Sequence, residues 1–236
     1  MFPGKQLPFR VASNDMPATL PAAVFLDVDG VLIDSIDVKG DVFVEIFADF
    51  PNSREQVLAF HQAHGGLTRE IKIRKLLELL SNESPSDSEV SDRVTLFASL
   101  AVGRVIQAPE IPGTHAFLQE WSARCPFYAV SATPDKELQQ IMAARGLLPF
   151  FRKVRGWPPD KSRLITEEIP SGGFEAAQCI LVGDSDEDHR AAKRASVPFI
   201  LFGAPTPDGQ QSNVSRITSW SAFGEAASEV LERSAS

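Results

Sequence analysis

Five short apolar runs, at 24–28, 127–131, 150–154, 179–183 and 199–202, constrain this 236-residue chain more than any other feature. Their apolar residues stand at consecutive rather than alternate positions, and helical periodicity follows each run. A strand that is apolar on both faces needs cover on both. Strands alternating with helices provide that cover in a parallel sheet wrapped by helices. The expected fold class is α/β with a doubly wound, Rossmann-like parallel sheet. Between the second and third runs, "TPDKELQQIMAARG" reads as a helix with Pro134 early and Gly146 at its stop. After the fourth, "SDEDHRAAKRAS" places acids in the first turn and bases later, matching the helix dipole.

The interval from 29 to 126 is far longer than one crossover helix requires, and it reads helical nearly throughout. Val38, Val42, Phe43, Ile46, Phe47 and Phe50 fall on one helical face. Ile71, Leu76, Leu77 and Leu80 form another stripe, and Val94, Phe97, Ala101 and Val105 a third. This gives an N-terminal arm at 1–21, an α/β core at 22–34 and 109–236, and an inserted helical module at 35–108.

Bulk properties narrow the function. A formal charge of −8 with no basic stripe argues against nucleic acid as a partner. No stretch approaches the ~20 apolar residues that cross a bilayer. The leader has four prolines before Ala22 and no continuous apolar core, so it is not read as a signal peptide. A cytoplasmic protein without membrane partners is expected, monomeric or homodimeric. Cys125 and Cys179 lie in or beside apolar runs and read as reduced, buried thiols. His61 and His64, with no acid or cysteine cluster near them, read as a solvated helix face.

The chemistry gathers where the runs end. In open parallel sheets, ligands bind beyond the carboxyl ends of the strands, where the topology changes direction. The first run delivers Asp27 and Asp29, the second Ser131, and the fourth "GDSDED" with Asp184, Asp186 and Asp188. Lys161 opens the helix after the third. Clustered carboxylates are costly to bury without a cation, and a hard divalent ion such as Mg2+, held by oxygen ligands, resolves the cost. One carboxylate could then attack phosphorus while its neighbour handles the proton. Lys161 and Ser131 would hold the phosphoryl oxygens. Alone, Asp27 or Asp29 would pass for a helix cap and Ser131 for a turn residue.

In that order, "DVDGVLIDS", Ser131, Lys161 and "GDSDED" resemble the four motifs of the haloacid dehalogenase superfamily, over about 24–202. The likeness is to its phosphoglycolate phosphatase and β-phosphoglucomutase-like subgroup, in which a helical cap follows the first motif. The resemblance implies that Asp27 is a nucleophile forming an aspartyl-phosphate and that Asp29 is the general acid/base. It implies that Gly30, Ser131 and Ala132 line the phosphoryl site. Asp27, the backbone carbonyl of Asp29 and Asp184 would ligate Mg2+, with Asp188 ordering the metal's waters. Lys153 competes with Lys161 for the phosphate, and Asp186 with Asp188 for the second acid. Relatives that remove halide generally lack the second aspartate, so Asp29 favours phosphoryl transfer.

The insert is then expected to select substrate. In "HGGLTREIKIRK", Gly65 and Gly66 permit a tight turn, Thr68 can cap a helix and Arg69 projects from its first turn. By resemblance, Arg69 would grip a second phosphate or acidic group of the substrate. Mutase relatives carry a histidine about ten residues beyond the second aspartate. This chain has Lys39 there, which either contacts substrate or is solvated. The expected activity is a Mg2+-dependent phosphatase for a small phosphorylated sugar or hydroxy acid. A hexose-phosphate mutase, a phosphonate hydrolase with Lys39, Lys72 or Lys75 as its Schiff base, and a non-enzymatic receiver-like module remain as alternatives.

Overall fold

The computed structural model describes residues 19–204 and 214–235. The expected N-terminal arm therefore lies almost wholly outside the described residues. In chain order the helices are α1 (Ile36–Ile46), α2 (Arg54–Ala63), α3 (Arg69–Ser81), α4 (Asp87–Gln107) and α5 (Thr114–Trp121). They continue as α6 (Asp135–Ala144), α7 (Lys161–Gly172), α8 (Asp186–Ala195) and α9 (Phe223–Ser234). The strands are β1 (Ala23–Leu26), β2 (Phe127–Pro134), β3 (Lys153–Trp157), β4 (Cys179–Gly183), β5 (Phe199–Phe202) and β6 (Ser215–Ile217).

The strands form one parallel sheet in the order β3-β2-β1-β4-β5-β6. The chain builds outward from β1 on one side, then returns to build outward on the other. The crevice between β1 and β4 is thus the topological switch point. Alternation along β1 explains the two layers of core. Val24 and Leu26 pack with Phe117, Trp121, Phe223 and Leu231 of α5 and α9. Ala23 and Phe25 face the other way, onto Leu164 and Ile165 of α7 and Ala191 of α8. Both sheet faces are covered, which is why the run carries apolar residues at consecutive positions.

α1 to α4 hold a separate apolar cluster built from Val42, Phe43, Phe47, Ile73, Leu76 and Phe97. A capping box at the start of α4 fixes its entry, with Ser86 Oγ accepting from the Glu89 amide and Glu89 accepting from the Ser86 amide. The strands of chain leading into and out of this module run side by side. The Asp34 amide donates to Pro109 O at 2.9 Å, the Ile111 amide donates to Leu32 O at 3.0 Å, and Ile33 bridges antiparallel to Glu110.

Three expectations are corrected here. The third strand starts at Lys153 rather than at 150, because residues 148–150, around Pro149, form a turn of 3-10 helix instead. Phe150 and Phe151 still pack against the core from outside the sheet. Ile71 is 44% exposed and Ile73 takes its place in the cap core, one helical turn before Leu76 and Leu77. His61 is buried rather than solvated. Cys125 and Cys179 are free and buried, as expected.

Because the α1–α4 cluster is distinct from the two cores of the sheet, a cavity in it should weaken the module first. Leu76→Ala, at a fully buried position, should cost about 2–5 kcal/mol in urea unfolding. Hydrogen exchange should quicken across α1–α4 before it does in β1 or β4. Equal acceleration everywhere would show that the cap and sheet unfold as one unit.

Candidate active site

β1 ends at Leu26, yet the Asp27 amide still donates to Val182 O of β4 at 3.0 Å. The ladder therefore carries Asp27 to the mouth of the switch point, where Asp184 follows β4. Within Asp27, Oδ1 accepts from the Val28 amide at 2.7 Å. Oδ2 faces the Lys161 ammonium at 2.7 Å, and the same ammonium also pairs with Asp188 Oδ1. Asp188 is wholly buried. Its Oδ2 accepts from Ser185 Oγ at 2.6 Å and from the Ser185 amide at 3.2 Å, which makes it half of the capping box that starts α8. One side chain thus opens a helix and anchors the lysine.

Oxygen atoms of Asp27, Asp184 and Asp188 all lie within 4.8 Å of one another. Burial pushes Asp27 up to about 7, with Lys161 opposing and Asp188 and Asp29 adding to the rise. Burial likewise raises Asp184 well above its ordinary value, reinforced by Asp27 and Asp188. Lys161 stays protonated, because Asp188 and Asp27 outweigh the desolvation that would discharge it. Three acids facing one lysine leave negative charge uncompensated. Hard oxygen donors in that state fit a divalent cation.

Gly30 makes the crowding possible. Its φ is +75°, and a Cβ there would stand 2.2 Å from Asp184 Oδ2. Any other residue would displace the acid.

Asp29 is held differently. Ser35 Oγ donates to Oδ1 at 2.5 Å, and Lys39 Nζ and Thr133 Oγ1 donate to Oδ2 at 2.6 and 3.2 Å. Lys39 also reaches Thr133 Oγ1 at 2.9 Å. Burial alone would raise Asp29, but the Lys39 charge and these hydrogen bonds hold it at about 2. On β2, buried Ser131 accepts from the Thr133 amide at 3.1 Å.

A cavity of about 610 Å³ lies between these strand ends and the helical module, and Asp27, Asp29, Lys39, Ser131, Lys161 and Asp184 contribute to its wall. Ala132, Asp186 and Arg69 line it as well. Lys153 is elsewhere, paired with Glu168 at 2.6 Å, and Lys75 is exposed. Thr68 occupies the N-cap position of α3 without a side-chain cap bond. Arg69 does reach the cavity, but both of its Nη atoms bond Glu137 on α6, Nη1 to Oε1 at 3.1 Å, and its guanidinium lies 4.9 Å over the Phe97 ring. At Gly66, with φ +77°, a Cβ would stand 2.7 Å from Glu187 Cβ. The cap loop therefore rests against the start of α8.

Thr133, Ser35, His61, Lys72 and Glu137 join the site without having been singled out for these roles by sequence. Thr133 had a signal: it stands two residues after Ser131 on an extended strand, so it shares that residue's side. Lys72 stands one turn after Arg69 and shares its face.

Residues 21–196 match the family model of the haloacid dehalogenase-like hydrolases. The chain belongs to that family. It is 24% identical over 191 residues to a 6-phosphogluconate phosphatase of Escherichia coli (strain K12), covering 77% of this chain and 82% of that protein. Among solved structures, it resembles a haloacid dehalogenase-like hydrolase from Streptococcus pneumoniae (20% identity, 84% of this chain and 93% of that one, TM-score 0.67). It also resembles a phosphoglycolate phosphatase, so described from prediction, of Haemophilus somnus 129PT (17%, 88% and 98%, TM-score 0.72). A third is CbbY of Rhodobacter sphaeroides, solved with xylulose-(1,5)bisphosphate (16%, 87% and 97%, TM-score 0.68). At these identities the structural likeness establishes the fold. Among the described residues, no helix is long and apolar enough to cross a membrane.

The grip on Asp29 yields a direct test. Lys39→Met removes the main charge that opposes burial, so the Asp29 carboxyl should rise from about 2 by at least about one unit. Carboxyl 13C titration reads this. An unmoved midpoint would assign the effect to Ser35 and Thr133.

Proposed function

We propose that this chain is a magnesium-dependent phosphatase that hydrolyses a small phosphorylated metabolite through an aspartyl-phosphate on Asp27. The observation that carries the reading is the buried Lys161 ammonium, 2.7 Å from Asp27 Oδ2 and paired to Asp188, beside a third acid at the switch point.

Asp27, Asp184 and Asp188, with the Asp29 carbonyl, would hold the ion, directly or through its waters. When bound, it neutralises the excess acid and polarises the phosphoryl oxygens. The Asp27 carboxylate then attacks phosphorus from the floor of the cavity, and the bond to the ester oxygen breaks. Lys161 and Ser131 hold the non-bridging oxygens as charge moves onto them. The leaving alkoxide takes its proton from the Lys39–Asp29 pair, whose ammonium and carboxylate already share a 2.6 Å hydrogen bond. In the second step water attacks phosphorus, the bond from phosphorus to the Asp27 oxygen breaks to free the carboxylate and inorganic phosphate, and Asp29, held ionised, receives the water's proton. The cap loop at Gly66 and the Arg69–Glu137 ion pair close the cavity over this chemistry and keep out competing water. Lys39 stands where mutase relatives carry histidine, which favours release of phosphate over its return to a sugar.

Asp27→Asn should lower kcat for an aryl phosphate by roughly a thousandfold or more, since the amide is no nucleophile. Circular dichroism should be unchanged. EDTA should silence the parent, and Asp184→Ala should raise the Mg2+ concentration it requires. Full turnover in chelator would end this reading. Recovery of an isomeric sugar phosphate in place of inorganic phosphate would convert it to a mutase.

A further inference from the structure

Lys72 is a buried cation on the cap side of the cavity that the chemistry above does not use. Five lysines and arginines line the cavity. Lys39 is paired with Asp29, Arg69 with Glu137, Lys161 with Asp27 and Asp188, and Arg190 with Glu187. Among the described residues, Lys72 has no carboxylate within ion-pair distance. Its Nζ meets His61 Nδ1 at 3.3 Å and lies 5.8 Å from the centre of the Phe43 ring.

His61 determines how that ammonium is presented. Its Nε2 lies 3.0 Å from the Ile36 carbonyl, an acceptor only, so Nε2 carries the proton and Nδ1 offers a lone pair. Nδ1 therefore accepts from Lys72 and fixes the amine, leaving its other hydrogens for a ligand. Burial, with Lys72 nearby, holds His61 down at about 4 and keeps it in this neutral form. Burial and repulsion from Lys39, only partly offset by the more distant Asp29 and Asp184, bring Lys72 to about 8. A cation desolvated without a counter-ion is costly, and it persists at a site whose ligand supplies the missing charge.

We propose that Lys72, positioned by His61, binds a carboxylate at the far end of the substrate, so that the enzyme acts on phosphate esters of hydroxy acids. The proposal rests on the phosphatase reading and narrows it. A carboxylate suits the site better than a second phosphate. One point-charge ammonium against an aromatic ring balances one negative charge, whereas a phosphate dianion calls for a guanidinium fork or several cations. The guanidinium nearby, Arg69, is already held by Glu137 on both nitrogens.

The test compares matched esters that differ only in the far group. The pairs are phosphoglycolate with ethylene glycol phosphate, 3-phosphoglycerate with glycerol phosphate, and 6-phosphogluconate with sorbitol 6-phosphate. The wild type should prefer the acid in at least one pair by about ten- to hundredfold in kcat/KM, the value of one charge-assisted contact. In Lys72→Met that preference should collapse towards unity, mainly through KM for the acid, and His61→Leu should lower it in the same direction. Lys72→Gln provides a second uncharged variant if the methionine disturbs folding. A wild type that favours no acid, or a preference that survives both Lys72 variants, overturns the assignment. So does a bisphosphate preferred over every acid. Failure of the phosphatase reading looks different: the wild type would then release no phosphate from an aryl ester with Mg2+ either, and the inference would fall with it.

Discussion

The Lys161 ammonium between Asp27 and Asp188 is the contact on which this site, and the sheet beneath it, depends. Its location is electrostatically unusual. Lys161 is the first residue of α7, where the helix dipole disfavours a cation by about 0.3–1 kcal/mol. Two buried carboxylates outweigh this, since breaking a buried pair costs about 3–5 kcal/mol. Asp160 relieves the same terminus by accepting from the Ser162 and Arg163 amides. The lysine thus lies where local propensity would not put it, and the acids explain why. β1 can end in a buried carboxylate beside the first turn of α8 because this ammonium pairs with both Asp27 and Asp188.

The same economy governs the cap. Its helices make their own core, and Val102, Val105 and Ile106 near the end of α4 join the core of the sheet, but around the cavity its attachment is polar and sparse. It consists of the Arg69–Glu137 ion pair, the close approach of Gly66 to α8, and the link from Lys39 to Asp29 and Thr133. Contacts of this kind are made and broken more readily than apolar packing, because water can replace each partner. A large hydrophobic interface at this point would have sealed the cavity against substrate.

Much of this was legible in the sequence. Consecutive apolar residues gave the sheet, and acids at the strand ends gave the switch point. What was missed has physical causes. The 150–154 run is apolar because Phe150 and Phe151 plug the side of the core, so its hydrophobicity reports burial rather than strand. β6 has only three residues, one of them fully buried, and leaves no run to detect. Ile71 and Ile73 differ only in which side of α3 meets the cap core, a choice set by how the helix is rotated. His61 looked like a surface residue because the Ile36 carbonyl and Lys72 that bury it are distant in sequence. Arg69 was found as a cavity residue, but its partner Glu137 lies on another element 68 residues away. No spacing rule spans that distance.

The paired strands of chain that carry the helical module, with Asp34 bonded to Pro109 and Ile33 bridged to Glu110, have a consequence for how such proteins diversify. Because entry and exit run side by side, the two covalent links between sheet and module lie together as a narrow stalk. Whatever is built beyond residues 34 and 109 can lengthen, shorten or be exchanged without altering a hydrogen bond of β1 or β4. Apart from Ser35 and Lys39, which hold Asp29, the upper half can therefore drift without disturbing the reaction centre, and a lineage can change which molecules it accepts while inheriting unchanged the machinery that cleaves them.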